Sequence, residues 1–189
     1  MTDILTIDTG AGIVKEEKIN PLPLYDESFP MLQKQIPNYE AALPNPTMTA
    51  LIKRLKITMK LFGGIGLSAN QCGVFERVFI IGTDQFQIVC INPEIVETSE
   101  EKIKEGEGCL SFPGLSLKVE RPAWIVAEFT DENGQRKQMR LEGISARCFQ
   151  HELDHMNGVR MIEHVGPVAL QMARKKQEKT IKKVMRNRK

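Results

Sequence analysis

Apolar residues recur at helical spacing from Met48 through Leu51, Leu55 and Met59 to Phe62, on a segment that opens with Asn45-Pro46 and stops at Gly63-Gly64. An asparagine cap followed by a first-turn proline starts a helix, and glycine pairs end one. The spacing predicts an amphipathic helix with a buried stripe. β-Branched and aromatic runs follow at residues 77–82 (RVFIIG), 87–91 (QIVCI) and 123–129, the last leading into an Asn133-Gly134 turn. They predict short strands, antiparallel where that turn joins them. A second helix is predicted over 144–156, closed by Asn157-Gly158, a pair suited to a left-handed cap. A third begins after Pro167. Ahead of these elements Pro21, Pro23, Pro30, Pro37, Pro44 and Pro46 rule out any long helix and predict a wrapping segment over 1–46. The order helix, strands, helix predicts one α+β domain, with its body over 47–166 and a basic C-terminal helix or tail over 167–189.

A chain of 189 residues that is 41% hydrophobic and 26% charged is long enough and apolar enough for one real core. It has no uninterrupted apolar run that would span a membrane. Cys72, Cys90, Cys109 and Cys148 are scattered with no C-x-x-C pair, so no disulfide framework is expected. The first residues, MTDILTIDTGAG, lack the basic and apolar regions of a secretion signal, which predicts a reducing cytoplasm. The formal charge of +2 argues against a strongly basic nucleic-acid binder, but it divides unevenly. Residues 174–189 carry +8 and residues 1–173 carry −6. An acidic body thus ends in a basic tail.

His151-Glu152-Leu153-Asp154-His155 is an H-E-x-x-H pattern. Helical positions i and i+4 share a face, so both imidazoles can reach one ion, while Glu152 sits about 100° round the axis, where it can reach a water on the metal. A catalytic site of this kind commonly takes a third protein ligand and leaves one position open. His164 is one candidate, although a histidine there also suits a solvated helix start. Cys109, in Glu107-Gly108-Cys109-Leu110-Ser111, is chemically better placed, because Gly108 permits close backbone approach. Spacing alone does not choose among the four cysteines. Asp154 is a candidate acceptor for orienting a histidine ring, and Glu107 a candidate partner for Arg121. The stretch 63–71, GGIGLSANQ, follows a helix rather than a strand and lacks the Lys-Ser/Thr of a phosphate loop, which argues against nucleotide binding.

Three blocks then coincide in order: Gly64-Ile65-Gly66-Leu67-Ser68-Ala69-Asn70-Gln71, Glu107-Gly108-Cys109-Leu110-Ser111 and Gln150-His151-Glu152-Leu153-Asp154-His155. Together they resemble the signature motifs of the peptide deformylases, and the similarity runs from about Thr58 to Glu163. Two positions depart from the family pattern: Ser68, where Ala is usual, and Asn70, where Pro or another residue is frequent. The resemblance implies short antiparallel strands packed around a central metal-binding helix, with a C-terminal helix behind. It implies Cys109, His151 and His155 as metal ligands, Glu152 as general acid/base, and Gln71 with the Leu110 N–H as donors to the oxyanion. It implies Fe²⁺ as the ion, with Zn²⁺, Ni²⁺ or Co²⁺ able to substitute, whereas ligand chemistry alone suggests zinc. The implied substrate is N-formyl-methionine on nascent polypeptides. Its backbone would lie along Gly64, Ile65 and Gly66, with its side chain in a pocket of Ile65, Ile144, Cys148 and His151.

Two other readings share part of this pattern. A zinc endopeptidase also uses H-E-x-x-H but usually completes its site with His or Glu, and a structural metal module needs four protein ligands. For the tail, Lys and Arg near a helix C-terminus favour the helix dipole. The same charge could touch ribosomal RNA where nascent substrate emerges; neither membrane nor DNA is an expected partner.

Overall fold

A computed structural model describes residues 19–187. The first 18 residues of the predicted wrapping segment, with Arg188 and Lys189 of the tail, lie outside the described residues. Helix α1 (Pro46–Leu61) begins as expected, the Asn45 side chain accepting from the Met48 N–H at 2.9 Å with Pro46 in the first turn. Its buried stripe is Met48, Ile52, Leu55, Thr58 and Met59. Ile52 rather than Leu51 continues the stripe, because steps of four, three and four residues keep phase with about 3.6 residues per turn. The predicted end of the stripe is also corrected: Phe62 is the capping residue, has left the helical phase and is 47% exposed.

Five strands form an antiparallel sheet in the order β1 (Gly66–Ser68), β2 (Val78–Gly82), β3 (Gln87–Thr98), β6 (Trp124–Thr130) and β7 (Arg136–Glu142). A separate two-stranded sheet pairs β4 (Lys102–Gly108) with β5 (Ser116–Pro122). The predicted strands over 77–82, 87–91 and 123–129 are β2, the first part of β3, and β6. The Asn133-Gly134 turn joins β6 to β7, with Gly134 at φ +80°. Strand β2 is buried on both faces, which is why it reads as an unbroken apolar run. Ile80 and Val78 pack toward α1 with Leu67 and Ile91, whereas Phe79 and Ile81 pack toward the second helix with Phe129 and Phe149.

That second helix, α2 (Gly143–Met156), contacts β1 and β2 of the large sheet and β5 of the small one, so it lies centrally between them. It ends at Asn157, and Gly158 follows at φ +73°. A Cβ on Gly158 would stand 2.8 Å from the Lys34 backbone, so glycine here answers both the turn and the close passage of the N-terminal segment. That segment runs over the body without long helices and buries Leu22, Leu32 and Ile36. Arg77 clips it down, donating to the carbonyls of Ile36 (3.0 Å) and Met156 (3.1 Å). A third apolar cluster, Phe112, Leu115, Leu117, Val119 and Met161, lies between the small sheet and α3 (Pro167–Asn187), which adds Leu170 and Ala173. Arg174 of α3 also donates to Glu27, tying the C-terminal helix to the N-terminal segment. Among the described residues no helix is long and apolar enough to cross a membrane.

Candidate active site

The H-E-x-x-H face of α2 points inward: His151, Glu152 and His155 are 8%, 3% and 1% exposed. The turn that follows β4 brings Cys109 against this face. One ligand atom from each of Cys109, His151 and His155 lies within 4.8 Å of the others, and Cys109 Sγ is 3.3 Å from His155 Nε2. The two rings stand nearly perpendicular with centroids 5.0 Å apart. Of the four cysteines, Cys109 is the one that meets the two histidines. Cys72 and Cys90 are buried in the two large cores, and Cys148 sits on the cavity wall with its thiol 3.3 Å from the Ile65 carbonyl. His164 is elsewhere, partly exposed and bonded to Asp154 at 2.7 Å.

The two histidines at this point are shifted in opposite directions. Burial disfavours charge on His151, yet the Cys109 sulfur and the Glu107 carboxylate raise its pKa well above the usual imidazole range. Burial, with the positive charge of His151 and Arg121 beside it, holds His155 well below that range, leaving a neutral imidazole. Burial pushes the Glu152 carboxyl up to about 7, opposed by His151 and by the Ser68 hydroxyl. Its Oε2 is buried without a hydrogen-bond partner. A thiol, two imidazoles and a buried carboxylate with a spare oxygen fit a single divalent ion with an open coordination position.

Glu107, on β4, anchors the arrangement from behind. It accepts from Arg121 Nε at 2.6 Å, Arg147 Nη1 at 2.7 Å and His151 Nδ1 at 3.1 Å. Burial would raise its pKa, but the bonds from His151 and Arg121 outweigh burial and hold it at about 2. The bond to Nδ1 leaves His151 Nε2 for an ion and fixes the ring. The expected Glu107–Arg121 pair is therefore present. Asp154 does accept from a histidine ring, but it is that of His164 (2.7 Å), along with Arg121 (2.9 Å), while the ring of His151 is held by Glu107. Arg147 was not singled out from the pattern, although it lies four residues before His151 and so shares its helix face.

The other side of the site comes from the loop after α1. Gln71 sits in a short 3-10 turn (Ala69–Cys72), 1% exposed, its Nε2 3.4 Å from Cys109 Sγ and 3.1 Å from Ser111 Oγ. Gly66 lies directly over Glu152. A Cβ there would collide with Glu152 Oε1 and come within 2.7 Å of Cys148 Sγ. Strand β1 is the outer strand of its sheet. A cavity of about 350 Å³ opens here, lined by Gly64, Ile65, Gly66, Gln71, Cys109, Leu110, Ile144, Cys148, His151 and Glu152. Of the residues predicted for the site, only His155 is absent from the wall, being fully enclosed.

One sulfur and two ring nitrogens that could hold a single ion, with a buried carboxylate beside them in a cleft, are the arrangement of a metal-dependent hydrolase. The sequence profile of the polypeptide deformylases matches residues 21–171, and the chain belongs to that family. A peptide deformylase of Thermotoga sp. (strain RQ2) is 39% identical over 125 residues, covering 66% of this chain and 76% of that one. One from Stenotrophomonas maltophilia is 36% identical over 167 residues, covering 86% and 98%. The crystal structure of the Legionella pneumophila peptide deformylase superposes with a TM-score of 0.78 at 33% identity, covering 89% of this chain and 99% of that one. That of the Synechococcus elongatus enzyme in complex with actinonin gives 0.77 at 34%, covering 84% and 86%. The α+β architecture expected from the motifs is the architecture of these structures, and the chain is a metal-dependent hydrolase of N-formyl-methionyl peptides. The endopeptidase and structural-module readings are not favoured.

Proposed function

We propose that Cys109, His151 and His155 hold the ion, that Glu152 moves the proton, and that Gln71 and the Leu110 N–H receive the developing oxyanion. The observation that carries this is the meeting of one sulfur and two ring nitrogens within 4.8 Å beside a buried carboxylate. When bound, a divalent ion polarises the formyl oxygen and brings the pKa of a water to about 7. Glu152 takes a proton from the attacking water. It delivers that proton to the methionyl amine as the C–N bond breaks, so that formate and a free N-terminus leave. Gln71 donates from Nε2 to the carbonyl oxygen as charge grows there, a contribution worth about 10²–10³ in rate for one such donor. Glu107, held ionised by Arg121, keeps His151 in one orientation. Gly64, Ile65 and Gly66 carry the substrate backbone along the free edge of β1, and the methionine side chain lies against Ile65, Ile144 and Cys148.

The ion we assign is Fe²⁺, with Zn²⁺, Ni²⁺ or Co²⁺ able to occupy the same donors, and the compartment a reducing cytoplasm, where free thiols persist. Protein purified without oxygen is expected to retain iron and release formate from formyl-Met peptides, and to lose both in air as the metal-binding thiolate oxidises. Chelation should abolish release, and Ni²⁺ or Co²⁺ should restore it. No formate at any of these loadings would overturn the assignment.

We assign the body of this function to residues 47–166, with the described part of the proline-rich segment ahead of it, 19–46, as a wrapping segment. For the tail, the reading supported by dipole complementarity is a solvated helix end, since Lys175, Lys176, Lys179, Lys182 and Lys183 are all exposed. That display also supports a second reading, contact with ribosomal RNA. Under it, binding to ribosomes weakens steeply with salt, and truncation after Ala173 reduces both the affinity and the salt slope. Binding unchanged by truncation would leave the solvated end as the tail's role.

A further inference from the structure

Ser68 and Asn70, the two departures from the family motif, are both buried and both make polar contacts into the site. Asn70 Nδ2 donates to the His155 carbonyl at 2.7 Å, tying the 3-10 turn to the end of α2. Ser68 does something more specific. Its backbone N–H and its hydroxyl both reach the same atom, Gln71 Oε1, at 3.0 and 2.9 Å.

A side-chain amide has two chemically opposite ends, and only one orientation presents a donor to the cavity. With Oε1 taken up by two donors on Ser68, its lone pairs are occupied and the oxygen cannot turn toward the cleft. Turning the amide over would set Nε2 against the Ser68 N–H, donor facing donor. At the other end Ser111 Oγ accepts from Nε2 at 3.1 Å, which leaves the second N–H on the cavity side, toward Cys109. Alanine at position 68 would keep the backbone bond and lose the hydroxyl.

We propose that the Ser68 hydroxyl, through its bond to Gln71 Oε1, is a positioning residue, which holds the Gln71 amide with its N–H toward the reacting carbonyl and acts on that carbonyl through Gln71. The inference rests on the proposed role of Gln71 as oxyanion donor. It implies that Ser68 acts when charge develops on the carbonyl oxygen, so its loss falls on kcat rather than on substrate binding.

The test is a double-mutant cycle on the Ni²⁺-loaded enzyme with a formyl-Met tripeptide, all four proteins matched for metal content and thermal stability recorded. Gln71→Ala is expected to lower kcat about 10²–10³-fold. Ser68→Ala is expected to lower kcat about 3–10-fold with KM within twofold, a fraction of the effect of losing the donor itself. In the Gln71→Ala background the same change should alter kcat by less than twofold. The Gln71 side-chain amide signals, assigned in ¹⁵N NMR by their loss in Gln71→Ala, should shift in Ser68→Ala, a readout independent of turnover. If Gln71→Ala keeps full kcat, the donor reading itself fails. If Gln71→Ala is impaired but Ser68→Ala has wild-type kcat, loses it additively in the double mutant, or leaves the amide signals unmoved, the positioning role is overturned.

Discussion

Glu152→Gln is expected to lower kcat for formate release by about 10²–10⁴-fold at unchanged metal content, the range for losing a positioned general acid/base. The substitution keeps the shape of the side chain under Gly66. What it removes is the capacity to carry a proton from water to the amine. Burial pushes this carboxyl up to about 7 in the ion-free protein, and a bound cation would draw it lower, toward a carboxylate ready to take a proton from water. The acid limb that Glu152 contributes to the pH profile should vanish in the variant. A second effect of opposite sign follows. In the ion-free protein the folded state holds this proton up to about 7, whereas an unfolded carboxyl releases it near 4.5, so folding is disfavoured progressively between those values and fully above them. Glutamine does not titrate. The chelated variant should therefore be more stable than chelated wild type above neutral pH, by on the order of 3 kcal/mol, and equal to it below pH 4. Urea denaturation at pH 4 and pH 8 measures the difference. More than a tenth of wild-type kcat in the variant would remove Glu152 from its role.

This site divides into a part the chain displays locally and a part created by tertiary contact. His151 and His155 are legible because helical periodicity alone puts them on one face. Cys109 is not, because its approach depends on the turn after β4 docking against α2, a contact 46 residues away from His155 in sequence. The flanking Gly108 favoured it in the sequence, and the order of three motifs implied it. The same distinction runs through the fold. β2 was legible as a continuous apolar run, while β4 (KIKEGEG) and β7 (RKQMRLE) carry charge at most positions and bury few residues. β4 buries Glu107 alone, and that one inward residue is charged. Charge that looks solvated in sequence is thus the support of the active site, and no hydrophobicity pattern marks it. Ser68 and Asn70 stand out in the sequence only as departures from the family pattern. Their bonds to Gln71 and His155 became visible only with the loop folded against α2.

Glu107→Gln tests how much that buried charge contributes. Its side chain is 4% exposed and faces Arg121 and Arg147 at 5% and 7%, so removing the negative charge leaves two guanidinium groups enclosed with too few acceptors. Breaking a buried pair in this way costs about 3–5 kcal/mol, and the lower end applies because Asp154 still accepts from Arg121 and the Val119 and Ile103 carbonyls from Arg147. The pH dependence has a definite sign. A carboxyl held at about 2 when folded and near 4.5 when unfolded contributes stability that is fully present above 4.5 and lost as pH falls toward 2. The gap between wild type and variant should therefore be widest at neutral pH and close through that window. The glutamine amide also presents either end to His151 Nδ1, so the ring loses its fixed orientation. Affinity for Zn²⁺ should drop about 10–100-fold in competition with a chelating dye, the usual effect of removing a partner that orients a metal ligand. A variant with wild-type stability at pH 7 and unchanged zinc affinity would show that Arg121 and Arg147 are satisfied without Glu107, and that His151 is held by the packing of α2 alone.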